Sequence, residues 1–148
     1  MATISPRETL DRAIDDLLAQ VVDQSSMVEK SLNEAVGALK SQDIAQAKII
    51  YDADRQINKK HFDIEESVIT LIATQQPMAR DLRLLTAILE VTTELERMGD
   101  YAKGIARITV RIGQKELLPP VRHIQPMTEV CVDMLHRAVK AFVERDAD

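Results

Sequence analysis

Two short pairs, Asp54-x-x-x-Asn58 and Glu96-x-x-x-Asp100, are the residues of this chain best suited to chemistry. On a helix, residues four apart share one face, so each pair presents two oxygen-bearing side chains together. If both segments belong to an antiparallel helical hairpin turning at Gln76-Pro77, facing positions sum to 153. Asp54 then lies level with Gly99 and Asn58 with Leu95, at the height of Asp100 and Glu96. Up to four oxygen donors can converge there, which suits a hard or borderline cation such as magnesium, manganese or iron. The alternative is an acidic cluster neutralised by Arg97, Lys103 or Arg107 with no ion, because ion-pair networks imitate functional sites.

Other chemistry-bearing residues are weaker candidates. His61 falls on the Asp54 face near the height of Thr92, within a turn of Glu96, and reads as a hydrogen-bonded seam histidine before it reads as a ligand. His123 is expected in solvent. Asp133-x-x-His136 has the spacing of half a di-iron site, but such sites use Glu-x-x-His twice, and the chain contains no Glu-x-x-His. There is no glycine-rich phosphate loop, no Ser/His/Asp or Cys/His arrangement and no Cys-x-x-Cys, so the chain does not read as an enzyme. Lys103, Arg107 and Arg111 form a basic ridge near a helix C-terminus, where cations oppose the macrodipole and keep the face wet. Arg80, Asp81 and Arg83 occupy a first helical turn that favours Asp81 and disfavours the arginines, a mismatch that points to a partner contact. Met78 and Leu84 read as core.

The elements that must position these groups are helices. Four glycines and five prolines in 148 residues leave little turn chemistry for sheets. Ser5-Pro6-Arg7-Glu8 is a capping box with proline at the first helical position. Breaks follow at Lys40-Ser41-Gln42-Asp43, where Ser41 can cap the next helix, at Gln75-Gln76-Pro77, where proline can start one, and at Pro119-Pro120. These breaks delimit three helices of about 35 residues, each near 50 Å long, and a shorter fourth. Leu10, Ile14, Leu17, Val21, Val28, Leu32, Ala35 and Leu39 keep an alternating four-three step. Leu84, Ile88, Val91, Leu95, Met98, Ala102, Ile105 and Ile112 follow the same seam in the third helix. The second helix carries it through Ile50, Asp54, Ile57, His61, Ile64, Val68 and Leu71, with two polar intrusions. Such seams belong to long helices packed nearly antiparallel.

Composition excludes several classes. Nineteen Lys+Arg against 24 Asp+Glu give a net charge of −5, against the phosphate neutralisation that nucleic-acid binding needs. Aromatics at 3% provide no stacking platform. The N-terminus has no signal-peptide core and no stretch is long enough to span a membrane, so the expected location is the cytoplasm. The lone Cys131 is expected as a small buried residue. Leu32–Asp43 and Leu135–Asp146 share five of twelve residues at an offset of 103, which suggests that the fourth helix restarts the motif of the first.

Gln75-Gln76-Pro77-Met78-Ala79-Arg80-Asp81-Leu82-Arg83 resembles the hairpin motif of the PhoU family, and Leu95-Glu96-Arg97-Met98-Gly99-Asp100-Tyr101-Ala102 is similar to a second segment of that family at the expected spacing. The resemblance implies an all-α fold of two tandem three-helix repeats. Residues 1–114 would form one repeat, 115–122 a linker, and 123–148 the first helix of a truncated second repeat. It further implies a cytoplasmic adaptor of phosphate uptake and phosphate-starvation signalling. Its partners would be the ATP-binding subunit of a phosphate ABC transporter and a sensor histidine kinase, and membrane association would come only through them. Paired acidic motifs bind metal clusters in some family members; Glu96 and Asp100 match, while Asn58 stands where the family has a second aspartate beside Asp54. Two other readings stand beside the adaptor: a metal-binding bundle with storage or redox activity, and a fragment without function. If the fourth helix does not fold back, its apolar residues Val130, Met134, Leu135, Val139 and Phe142 would be bare, and a homodimer, with that helix swapped between chains, is expected.

Overall fold

Ser5 opens the first helix as the sequence requires. Its hydroxyl accepts from the Glu8 backbone N–H (3.2 Å), and the Ser5 N–H donates back to Glu8 Oε2 (3.0 Å). The computed structural model describes residues 5–117 and 119–145. Helices α1 (Pro6–Ser41), α2 (Ile44–Gln75) and α3 (Ala79–Ile112) are followed by a 3-10 turn (Pro119–His123) and helix α4 (Ile124–Glu144). Two residues separate α1 from α2 and three separate α2 from α3, so neighbours in sequence are antiparallel and α1 runs parallel to α3. The fold is an all-α antiparallel three-helix bundle with a fourth helix appended against α1.

Two boundaries fall slightly away from the sequence expectation. Asp43, not Ser41, caps α2: its carboxylate accepts from the Gln46 N–H at 2.9 Å. Ser41 is the last residue of α1 and its hydroxyl bonds the Gly37 carbonyl. Gln42 takes the left-handed conformation (φ 55°), ending α1 and leaving the extended N-cap geometry to Asp43. Pro77 precedes α3 by two residues and Met78 is the N-cap, without a side-chain cap bond.

The core follows the seams with one shift. On α2, Ile50, Asp54, Ile57, Ile64 and Val68 are all buried. On α3 the buried line is Leu85, Ile88, Thr92, Leu95, Gly99, Ala102, Ala106 and Thr109. Leu84, Val91, Met98 and Ile105 are only half-buried beside it. The reason is that α3 packs against both α1 and α2, so its apolar stripe is broad and its innermost line falls where three backbones converge. Small and hydroxylated residues fit there. The Ala35–Ala38–Ala47–Ala102–Ala106 end is correspondingly slim, while the opposite end is filled by Leu, Ile and Val. Each fully buried aliphatic side chain there is worth about 1.5–3 kcal/mol.

Three polar ties fix the parallel α1–α3 pair. Near one end, Arg7 forms a bidentate contact with Asp81 (2.6 and 3.4 Å). In the middle, the fully buried Gln24 donates through Nε2 to the Thr92 carbonyl (3.0 Å) and accepts from the Thr92 hydroxyl (2.6 Å). His61 Nδ1 lies 3.4 Å from the same hydroxyl, so α2 joins this layer. At the far end, Gln42 Nε2 donates to the Gly113 (2.8 Å) and Lys115 (2.6 Å) carbonyls.

Helix α4 folds back within the chain. Leu135 and Val139 enter the same core as Leu95 and Leu17, Phe142 packs beside them, and His136 meets Glu29 of α1 at 2.5 Å. Val130 and Met134 remain exposed, with Met127 on the same side. Cys131, expected inside, is exposed on this helix. Among the described residues no helix is long and apolar enough to cross a membrane.

Candidate functional site

The hairpin register read from the sequence is the one observed. His61 meets Thr92, and a Cβ placed on Gly99 would stand 3.7 Å from Asp54 Oδ1, both pairs summing to 153. Gly99 is needed for this approach, because its added Cβ would also meet two Ile57 carbons at 3.1 Å. Gly104 faces open space. Gly99→Ala is therefore expected to destabilise by about 1 kcal/mol, overpacking of 1–3 outweighing the helix-propensity gain. Gly104→Ala should instead stabilise by about 0.5–1 kcal/mol. Urea denaturation of the two variants checks the opposite signs.

Asp54 is 1% exposed, a position that a carboxylate holds only with a partner. The partner is Lys103, whose Nζ lies 2.7 Å from Asp54 Oδ2. The Asn58 amide donates to the same oxygen at 3.2 Å. Asp100 Oδ1 stands 3.9 Å from Lys103 Nζ, and the Tyr51 ring centroid 5.3 Å away completes a third side. The hydrogen bond from Lys103 to Asp54 holds the lysine above its ordinary pKa, against the opposing effect of burial. A raised lysine contributes stability that is complete below its unfolded value of 10.5 and is lost only as pH rises through the higher folded value. The lysine is thus charged across the neutral range. Asp54 Oδ1 and Asn58 Oδ1 are buried and accept no hydrogen bond from the protein. An open cavity of about 320 Å³ lies alongside, lined by Tyr51, Asp100, Lys103, Gly104 and Arg107.

Of the three cations weighed for this cluster, Lys103 is the one that engages Asp54. Arg97 binds Glu94 one turn away (2.7 and 2.9 Å), and Arg107 lines the mouth of the cavity. Lys103 thereby leaves the solvated ridge that Arg107 and Arg111 keep to. Glu96 is half-buried, and its carboxyl is held above the ordinary range first by burial and then by Asp100. A carboxyl raised in the fold contributes stability below its unfolded value of 4.5 that is lost as pH rises through the folded value. Glu96→Gln should accordingly be more stable than the parent at neutral pH and lose that advantage in acid, as denaturation at both pH values will show.

As an arrangement for a metal ion, the set fits poorly. Asn58 replaces a charge with an amide, and the ammonium of Lys103 bonds one Asp54 oxygen. Among the described residues, no group of three or more His, Cys, Asp or Glu is arranged to hold an ion.

The second candidate set lies at the α2–α3 turn. Arg80 and Arg83 are exposed, whereas Asp81 is drawn half inward by Arg7. Met78, expected as core, is 80% exposed, and Leu82 is exposed beside it. Its place ahead of the first turn of α3, beyond the end of the seam, leaves it nothing to pack on. Arg7 and Gln24 carry no functional expectation from the sequence. Gln24 falls on the four-three step between Val21 and Val28, a break in the apolar pattern that marks it.

Comparison with known proteins places these features in a family. A PhoU domain family model matches residues 21–109, more than half of the chain. The phosphate-specific transport system accessory protein PhoU homolog of Aquifex aeolicus is 31% identical over 137 residues, covering 93% of this chain and 62% of that protein. The phosphate-specific transport system accessory protein PhoU of Escherichia coli is 32% identical over 135 residues, covering 91% of this chain and 56% of that protein. The crystal structure of PhoU from Pseudomonas aeruginosa superposes with a TM-score of 0.86 at 30% identity, over 93% of this chain and 66% of that one. The chain thus spans about 60% of the length of these relatives. It belongs to the PhoU family.

Proposed function

We propose that this chain is a regulatory adaptor of a phosphate-specific transport system, acting in the cytoplasm through protein contacts and not through catalysis. The family membership and the names of the relatives support the system. The observation that carries the mode of action is the α2–α3 tip, where exposed Met78 and Leu82 sit with exposed Arg80 and Arg83. Apolar side chains interleaved with arginine are what protein interfaces use as anchors. The partners in this reading are the ATP-binding subunit of a phosphate ABC transporter and a sensor histidine kinase. The expected result is capture of one or both by the chain, with binding by Arg80→Glu/Arg83→Glu reduced at least about tenfold. Equal binding by parent and variant would remove the tip from the interface, and no binding by either would leave the adaptor reading without support in this chain.

A homodimer is a second element of the reading. Met127, Val130 and Met134 form an exposed stripe on α4 at helical spacing. Light scattering should give two chains per particle for the parent and one for Val130→Glu/Met134→Glu; a monomeric parent ends this element.

A further inference from the structure

The orphaned oxygens of the Asp54 cluster and the lysine that closes it point in opposite directions, and the lysine decides between them. Lys103 Nζ has a carboxylate at 2.7 Å, a second carboxylate at 3.9 Å and an aromatic face at 5.3 Å. This is coordination of a cation by the groups that would otherwise surround an ion. The ammonium comes from α3, one turn beyond Gly99, while Asp54 and Asn58 come from α2, so the contact also joins the two helices. Asn58 removes one negative charge from the set and turns its amide toward Asp54 Oδ2. The remaining oxygens, Asp54 Oδ1 and Asn58 Oδ1, are hard donors buried without a hydrogen-bond partner, and Lys103, bonded to Asp54, lines an open cavity together with Asp100.

We propose that Lys103 is itself the resident cation of the α2–α3 site, making the fold metal-independent there, and that the same oxygens accept a divalent ion only once that ammonium is removed. The built-in charge takes the place of an exchangeable one. An ammonium tethered to α3 is present at a fixed local concentration and cannot be lost to a chelator, so the site contributes to the fold under metal starvation as well as metal sufficiency.

The test uses Mn²⁺ and EDTA with the whole chain, comparing the parent, Lys103→Met and Lys103→Arg by thermal unfolding and calorimetric titration. The parent and Lys103→Arg are expected to melt at the same temperature in Mn²⁺ as in EDTA. Lys103→Met is expected to melt several degrees lower in EDTA, to recover in millimolar Mn²⁺, and to bind Mn²⁺ at least about tenfold tighter than the parent. Because Lys103→Met alone can fail to fold, Asp54→Asn/Lys103→Met supplies the control. It removes the buried charge along with its partner, and should fold as well as the parent without binding Mn²⁺. A parent chain stabilised by Mn²⁺ as much as Lys103→Met overturns the proposal. So does a Lys103→Met chain that folds but ignores Mn²⁺, or a double variant as unstable as Lys103→Met, since either result assigns the lysine a packing role alone.

Discussion

Lys103→Met is expected to lower the stability of this chain by about 3–5 kcal/mol, whereas Asp54→Asn should cost only about 1 kcal/mol. The inequality follows from where the two members sit. The Asp54 side chain is 1% exposed, while the Lys103 side chain is 30% exposed and can swing out when its partner is neutralised. Removing the lysine therefore leaves a buried charge uncompensated; removing the charge leaves a lysine that solvates itself. Urea denaturation without metal at neutral pH measures both costs. Equal costs for the two substitutions would mean that Asp54 reaches solvent in a way its burial denies.

The second large effect is expected at the polar layer. Thr92→Val leaves the Gln24 carbonyl oxygen buried without its 2.6 Å donor, and Gln24→Leu leaves the Thr92 hydroxyl without its acceptor. Each should cost about 1–3 kcal/mol, the penalty of an unsatisfied buried polar group. Gln24→Leu/Thr92→Val replaces both partners with apolar groups and should cost less than the sum, with a coupling of about 1–2 kcal/mol in a double-mutant cycle. Strict additivity would show that the two side chains act independently despite their contact.

Much of this was legible in the sequence because the bundle obeys short-range rules. The capping box at Ser5, the seam of α2 and the height of Asp54 opposite Gly99 depend only on helical periodicity and a short hairpin turn. What escaped was set by the third helix in the packing. A pairwise hairpin puts Leu84 and Val91 of α3 inside; adding α1 moves the innermost line to Leu85 and Thr92. Asp81 read as a partner-binding acid because Arg7 is 74 residues away, and only the parallel α1–α3 arrangement makes them neighbours. Lys103 was one of three cations offered for Asp54. Its selection was within reach: a helical side chain leans toward the N-terminus, so a lysine four residues after Gly99 covers the Gly99 level, where Asp54 lies. Arg97 projects from another face and finds Glu94.

The three ties between α1 and α3 also have a mechanical meaning. Arg7, Gln24 and Gln42 are spaced almost evenly along α1, about 25 Å apart at 1.5 Å per residue. A slip of one helical turn would have to break all three at once, so the ties oppose sliding of α1 along α3. A load applied along the helices at the Met78–Arg83 tip therefore meets three separate pins before α1 can slide on α3, the last of them roughly 50 Å away at the Gln42–Gly113 end.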